Sequence, residues 1–251
     1  MTARPRRLRV LCAALAAFSP GRALAESDAP RSHPGGLEAP AHRPVGIAEA
    51  GIGWLTLPGA EVCVDTDRLD CDEGDTSLEL EIWQLYRANL AFAFGAGITL
   101  GLVPTTDAPA RTAQPAAGEE PIVRDHSRGY FTIEAIGRYY PFVGQNLEAW
   151  VGLTGGLVVV SDSYSSNQPA SDNALVGPRG QTIRTEGYTI GLATGVAYAL
   201  APNWSLGASL RYGSWFLPGT AASNPLGDAA SLTGQNNLFA VGINIAYRIA
   251  L

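Results

Sequence analysis

Eight ionisable side chains stand in otherwise apolar stretches at positions that can share a face: Glu79, Glu81, Arg87, Glu134, Arg138, Glu148, Arg211 and Arg248. Residues two or four apart on an extended chain point to the same side, so Glu79 with Glu81, and Glu134 with Arg138, fall on common faces of a strand. Carboxylates and guanidinium groups gathered on one enclosed face can do two things. They can pair as a plug that fixes strand register, or they can line a polar passage.

Other groups are weaker candidates for chemistry. Asp65, Asp67, Asp70, Asp72, Glu73 and Asp75 crowd one loop with Cys63 and Cys71. Carboxylate oxygens are hard ligands suited to Ca²⁺, but the spacing is not that of an EF-hand, and a solvated, self-repelling loop face accounts for the cluster; no metal or other cofactor is expected. The cysteine pair has no neighbouring Cys or His ligands for zinc. In an exported chain it reads as a disulfide closing the loop. His33 and His42 lie in a Pro/Ala/Ser/Gly-rich stretch, and His126 adjoins Ser127. Neighbours on a strand point to opposite faces, so His126 and Ser127 do not make a nucleophile and base. No catalytic residues are assigned, and no enzyme is expected. Glycines such as Gly95, Gly97, Gly152, Gly155, Gly156, Gly191 and Gly195 sit inside alternating segments and not between a strand and a helix, which excludes a phosphate loop. They are expected to make room for Trp83, Trp150, Trp215, Tyr130 and Tyr140.

The elements that must position these groups begin with an export signal. Arg4, Arg6, Arg7 and Arg9 precede a short apolar run from Val10 to Phe18, and Ala23-Leu24-Ala25 is an A-x-A cleavage site. Residues 1–25 are therefore read as a signal peptide, 26–44 as a flexible periplasmic lead-in and 45–251 as the folded domain. Removing the signal takes five arginines from 17 basic residues and leaves 12 against 23 acidic ones, a net charge of −11. A chain so acidic, without basic clusters, is no partner for nucleic acid. Beyond the signal no run reaches the roughly 20 apolar residues that a spanning helix requires. With 46% hydrophobic and only 16% charged residues, a membrane crossing has to be made by strands.

Alternation supplies those strands. From Phe239 to Leu251, Phe239, Val241, Ile243, Ile245, Tyr247, Ile249 and Leu251 fall on one face and Ala240, Gly242, Asn244, Ala246, Arg248 and Ala250 on the other. The segments 78–86, 90–102, 130–140, 147–160, 187–200 and 204–216 repeat the pattern, and 45–57 does so poorly. Short links at 87–89, 141–146 and 201–203 alternate with long polar ones at 59–76, 104–126, 161–184 and 217–236. Eight strands, three short turns and four long loops place both chain ends with the short turns.

With its signal peptide, strand count, turn asymmetry and apolar closing strand, the region from Val45 onward resembles the small outer-membrane barrels of the OmpA, OmpX and opacity-protein type. The resemblance implies an all-β, eight-stranded, antiparallel, up-and-down transmembrane β-barrel in the outer membrane of a Gram-negative bacterium. Its implied partners are outer-membrane lipid and lipopolysaccharide, with the barrel-insertion machinery during assembly. That machinery commonly reads a terminal aromatic residue, whereas this chain ends in Leu251. Related barrels that deacylate or acylate lipid A use a His and a Ser on the outer surface, a pattern His126 and Ser127 do not reproduce.

Residue size orients the sheet. An eight-stranded barrel has an interior that side chains just fill, so the small and polar face is inward and the Leu/Ile/Phe face meets lipid. The eight charges fall on the inward face, which spares Arg a cost of about 2–4 kcal/mol at the bilayer midplane. Tyr86, Tyr139, Tyr198 and Trp204 mark one membrane interface and Tyr188, Tyr212, Phe216 and Phe239 the other. The expected role is structural or surface-interacting, with four long extracellular loops displayed to an unspecified ligand. The alternative is a narrow, porin-like channel for ions or small apolar solutes.

Overall fold

In a computed structural model, the described residues are 44–63, 71–103, 125–165, 180–223 and 228–251; side chains of 61–63, 71–73, 125 and 180 are outside the description. The signal, nearly all of the lead-in, His33, His42, Asp65, Asp67 and Asp70 lie outside the described residues.

The chain forms eight strands: β1 (Val45–Cys63), β2 (Cys71–Arg87), β3 (Phe92–Gly101), β4 (Asp125–Val143), β5 (Leu147–Ser165), β6 (Gly180–Ala201), β7 (Trp204–Phe216) and β8 (Gln235–Ala250). Each pairs antiparallel with its sequence neighbour, and β1 pairs with β8, closing the barrel. Val45 stands opposite both Arg87 and Ala250, so both ends of the folded region lie at the short-turn rim. Closure gives every strand two partners, which hydrocarbon demands because it cannot hydrate a free backbone edge.

The faces are those that residue size requires. On β8, Ile243 is 58% exposed while its neighbour Asn244 is 9% exposed. The outward side chains of β6 from Tyr188 to Leu200 are apolar except Thr194, whose hydroxyl donates to the Trp150 carbonyl at 2.9 Å, and above them Glu186 and Arg184 also point outward. The bilayer edge therefore lies between Glu186 and Tyr188. Aromatic pairs brace the other rim: Phe92 with Tyr139, Tyr86 with Phe94, and Trp204 with Tyr247 have ring centroids 5.3, 5.2 and 4.9 Å apart, the spacing of favourable tilted contacts.

Several strands run further than alternation of hydrophobicity suggests. β6 has 22 residues and β1, β4 and β5 have 19 each, against the roughly 10 that cross a membrane. Within the loops expected at 59–76 and 161–184, residues 59–63 and 71–76 continue the β1–β2 hairpin and 161–165 and 180–184 the β5–β6 hairpin. Polarity there marks the height at which lipid ends and not the end of the ladder. β1, the segment with the poorest alternation, pairs along its whole length with a single irregularity between Leu57 and Glu61.

Two glycines show how the interior is filled. A Cβ at Gly97 would lie 2.4 Å from Trp83 ring carbons, and one at Gly195 would lie 2.6 Å from Trp150 Cζ2. These positions do make room for indoles. Gly95, Gly152 and Gly156 instead face backbone of the adjoining strand, so close strand approach and not an aromatic ring explains them.

Candidate functional site

The interior is a stack of charged layers. Nearest the short turns, Arg87 from the end of β2 donates to both oxygens of Glu148 on β5 at 3.0 Å, and Arg248 on β8 reaches the same carboxylate at 2.8 Å. Arg87 also donates to the Leu90 carbonyl at 2.8 Å and lies over the Tyr140 ring, 4.1 Å from its centroid.

The next layer joins Arg138 on β4 to Glu49 on β1 through two parallel hydrogen bonds of 2.8 and 3.0 Å, with side chains only 4% and 6% exposed. Such fork-to-fork pairing is the strongest geometry available to this ion pair. The guanidinium stacks over Trp150, 4.0 Å from the ring centroid. Arg138 and Glu134 share a face but are not partners, because successive same-face residues are staggered along the strand while Glu49 projects across the lumen at Arg138's level. Alternation alone did not single out Glu49, since it lies in the least regular segment.

Above it, Arg211 on β7 gathers three carboxylates: Glu79 at 3.0 Å, Glu134 at 3.3 Å and Glu81 at 3.8 Å. Tyr130 donates its hydroxyl to Glu79 at 2.9 Å and Thr132 donates to Glu134 at 2.9 Å. Glu79 and Thr99 have no exposed surface. Among the described residues, Arg138 Nε, Arg211 Nε and Thr154 Oγ1 have no protein partner, and all three residues line a cavity of about 20 Å³. That is room for roughly one water, which would satisfy them. A smaller cavity of about 10 Å³ lies higher, between Asp75, Arg128, Tyr130 and Trp215.

The outer mouth holds a further set. Asp75 belongs to β2 and not to a loop: it is buried and accepts two hydrogen bonds from Arg128 on β4, at 3.1 and 2.6 Å. His126 is fully buried, its Nε2 2.8 Å from Asp162 on β5, and its ring stacks on Tyr164 at 4.2 Å. Ser231, from the connection between β7 and β8, donates its hydroxyl to Asp162 and its amide to the other oxygen of that carboxylate. A serine, a histidine and an aspartate thus meet, but the serine hydroxyl bonds the carboxylate and not the imidazole, which is not the Ser–His–Asp order of a hydrolytic triad. The connection itself, expected as a polar external loop, buries Leu217, Ala230 and Leu232; Leu217 and Leu232 pack against Leu55, Leu57, Trp215 and Leu238.

These paired layers contain Glu79, Glu81, Arg87, Glu134, Arg138, Glu148, Arg211 and Arg248, together with Glu49, Asp75, Arg128 and Asp162, which alternation had not singled out as partners. Strand-end polarity masked the last three. Cys63 and Cys71 are directly opposed in the β1–β2 ladder; their side chains lie outside the description. Among the described residues, no group of three or more His, Cys, Asp or Glu side chains is placed to hold a metal.

A closed ring of eight antiparallel strands with a lipid-compatible exterior and a charged, filled interior is the eight-stranded outer-membrane β-barrel fold. One solved structure shares this fold, and others are similar to the chain. The chain is similar to a major outer membrane protein from Thermus thermophilus, with a TM-score of 0.50 at 15% identity over 83% of this chain and 100% of that one. Neisserial surface protein A gives a TM-score of 0.45 at 14% identity over 81% and 96% of the two chains. The outer membrane protein OprG from Pseudomonas aeruginosa gives 0.41 at 13% identity over 84% and 98%. No protein-family model matches the sequence, and no curated protein matches it.

Proposed function

We propose that this chain is a sealed barrel of the outer membrane with a structural or surface-interaction role, exported through its N-terminal signal and displaying four long connections (64–70, 102–124, 166–179 and 217–234) outside the cell. The observation that carries this reading is the succession of buried, mutually paired charges across the lumen, with Glu79 and Thr99 at its centre wholly enclosed. A wet pore would leave such groups hydrated and loosely held. The outward apolar belt fits outer-membrane lipid, the exposed loops meet lipopolysaccharide and an external ligand, and the barrel-insertion machinery assembles it. A narrow conduit for ions or small apolar solutes is the second reading, favoured by the polar cavity beside Glu49 and Glu81.

Fractionation and surface display test the proposal together. An epitope inserted in 166–179 should be labelled on intact cells, and the protein should sediment with outer membranes and migrate faster unboiled than boiled. Labelling only after the outer membrane is permeabilised would reverse the proposed orientation, and identical migration of boiled and unboiled folded protein would count against a closed barrel.

A further inference from the structure

The connection between β7 and β8 makes its barrel contacts unevenly. Its two limbs pair with each other: Leu217 N donates to Gly234 O at 2.8 Å, Ala230 N donates to Ala222 O at 2.8 Å, and Ser223 bridges Ala229. Besides the apolar packing of Leu217 and Leu232, hydrogen bonds from β4 and β5 hold it to the wall. Asp162 on β5 accepts from both the amide and the hydroxyl of Ser231; Tyr164, two residues on, donates to the Ala229 carbonyl; Arg128 on β4 donates to the Ser231 hydroxyl at 3.2 Å. His126 fixes the two β5 anchors from behind, hydrogen-bonding Asp162 and stacking on Tyr164.

We propose that residues 217–223 and 228–234 form a strap that closes the outer mouth of the barrel and opens as a unit separate from the strands, with Asp162 as its latch and His126 as the residue positioning that latch. Three features make the strap separable. Its internal hydrogen bonds travel with it. Ser231 and the Ala229 carbonyl are held by Asp162, Tyr164 and Arg128, side chains of two adjacent strands. The strands beneath are held by their own ladder and by the Arg211 layer, whose partners all come from the barrel wall. Asp162 is wholly enclosed, so the strap's amide and hydroxyl satisfy a buried charge, and hydrogen bonds to charged groups are the strong ones. Opening would rehydrate that carboxylate and withdraw Leu217 and Leu232 from the mouth, above the cavity lined by Leu57, Tyr130, Val160 and Trp215.

Amide hydrogen exchange of the folded protein in detergent micelles tests this, with heat-modifiable migration reporting that each variant is folded. In the wild type the amides of Ala230, Ser231 and Gly234 should exchange faster than those of 239–249 in β8, because local opening is easier than loss of the barrel. Asp162→Ala should accelerate those strap amides at least tenfold and leave 239–249 unchanged. Asp162→Asn, which keeps the shape but sets an amide NH₂ against a Ser231 donor, should act in the same direction if the alanine variant does not fold. Tyr164→Phe, which keeps the ring stack and loses one neutral hydrogen bond, should give a smaller acceleration of a few-fold. Strap exchange unchanged in both Asp162 variants would overturn the latch, and equal acceleration of strap and β8 amides would overturn the separate strap.

Discussion

Replacing Arg138 by alanine separates a paired interior from a hydrated one. In the structure Arg138 holds both oxygens of Glu49 and lies against Trp150, and neither charged side chain is more than 6% exposed. Removing the guanidinium leaves the Glu49 carboxyl buried without its partner, which costs about 3–5 kcal/mol, a shift in the unfolding equilibrium of roughly two to three and a half orders of magnitude. In a water-filled lumen the solvent would replace the lost partner and the cost would be about 1 kcal/mol or less. Equilibrium urea unfolding of the barrel in lipid vesicles measures the difference. Pairing with Glu49 specifically makes a second demand: Glu49→Leu combined with Arg138→Met should recover much of the loss, because an apolar pair of similar volume leaves no charge stranded. A cost near 1 kcal/mol for Arg138→Ala, or no recovery in the double variant, would refute the buried-pair reasoning.

Gly97→Ala should destabilise the barrel by about 1–3 kcal/mol, read as a lowered urea midpoint, because its Cβ would sit 2.4 Å from the Trp83 ring; wild-type stability would mean that the indole is not packed there. Ile243→Arg, at an outward site near mid-strand that is 58% exposed, should cost about 2–4 kcal/mol in vesicles if that face meets the bilayer centre, and no cost would reverse the assignment of faces. Cys63 and Cys71 face each other across the β1–β2 ladder, where antiparallel Cα atoms are about 4.5–5.5 Å apart and a disulfide can close. Alkylation of freshly isolated membranes should therefore find neither thiol free, and two labelled thiols would exclude the bond.

Most of the barrel was legible because its two faces differ in size as well as polarity. The run from Phe239 to Leu251 shows this directly: bulky apolar residues meet lipid while Asn244 and Ala246 turn inward. Strand ends were not legible for the same reason. Arg184 and Glu186 point outward above the bilayer on a strand that continues undisturbed, so a hydrophobicity pattern reads the edge of the lipid as the edge of the sheet. Individual partners were hidden in another way. Same-face spacing brings Arg138 and Glu134 to mind as a pair, but which charge stands opposite depends on register between strands far apart in sequence, and Glu49 is 89 residues from Arg138. The mouth was least accessible, since Asp162 and Ser231 are ordinary polar residues until the β7–β8 connection folds back onto β5.

The most direct test of the sealed barrel is ion conductance of the purified, folded protein in planar bilayers. With Glu49–Arg138 and the Arg211 layer paired across the lumen, the wild-type barrel should show no stable unitary currents, under conditions where a control porin conducts. Reproducible open channels from the folded wild-type protein, retained after contaminating porins are excluded, would contradict the sealed interior and support a conduit.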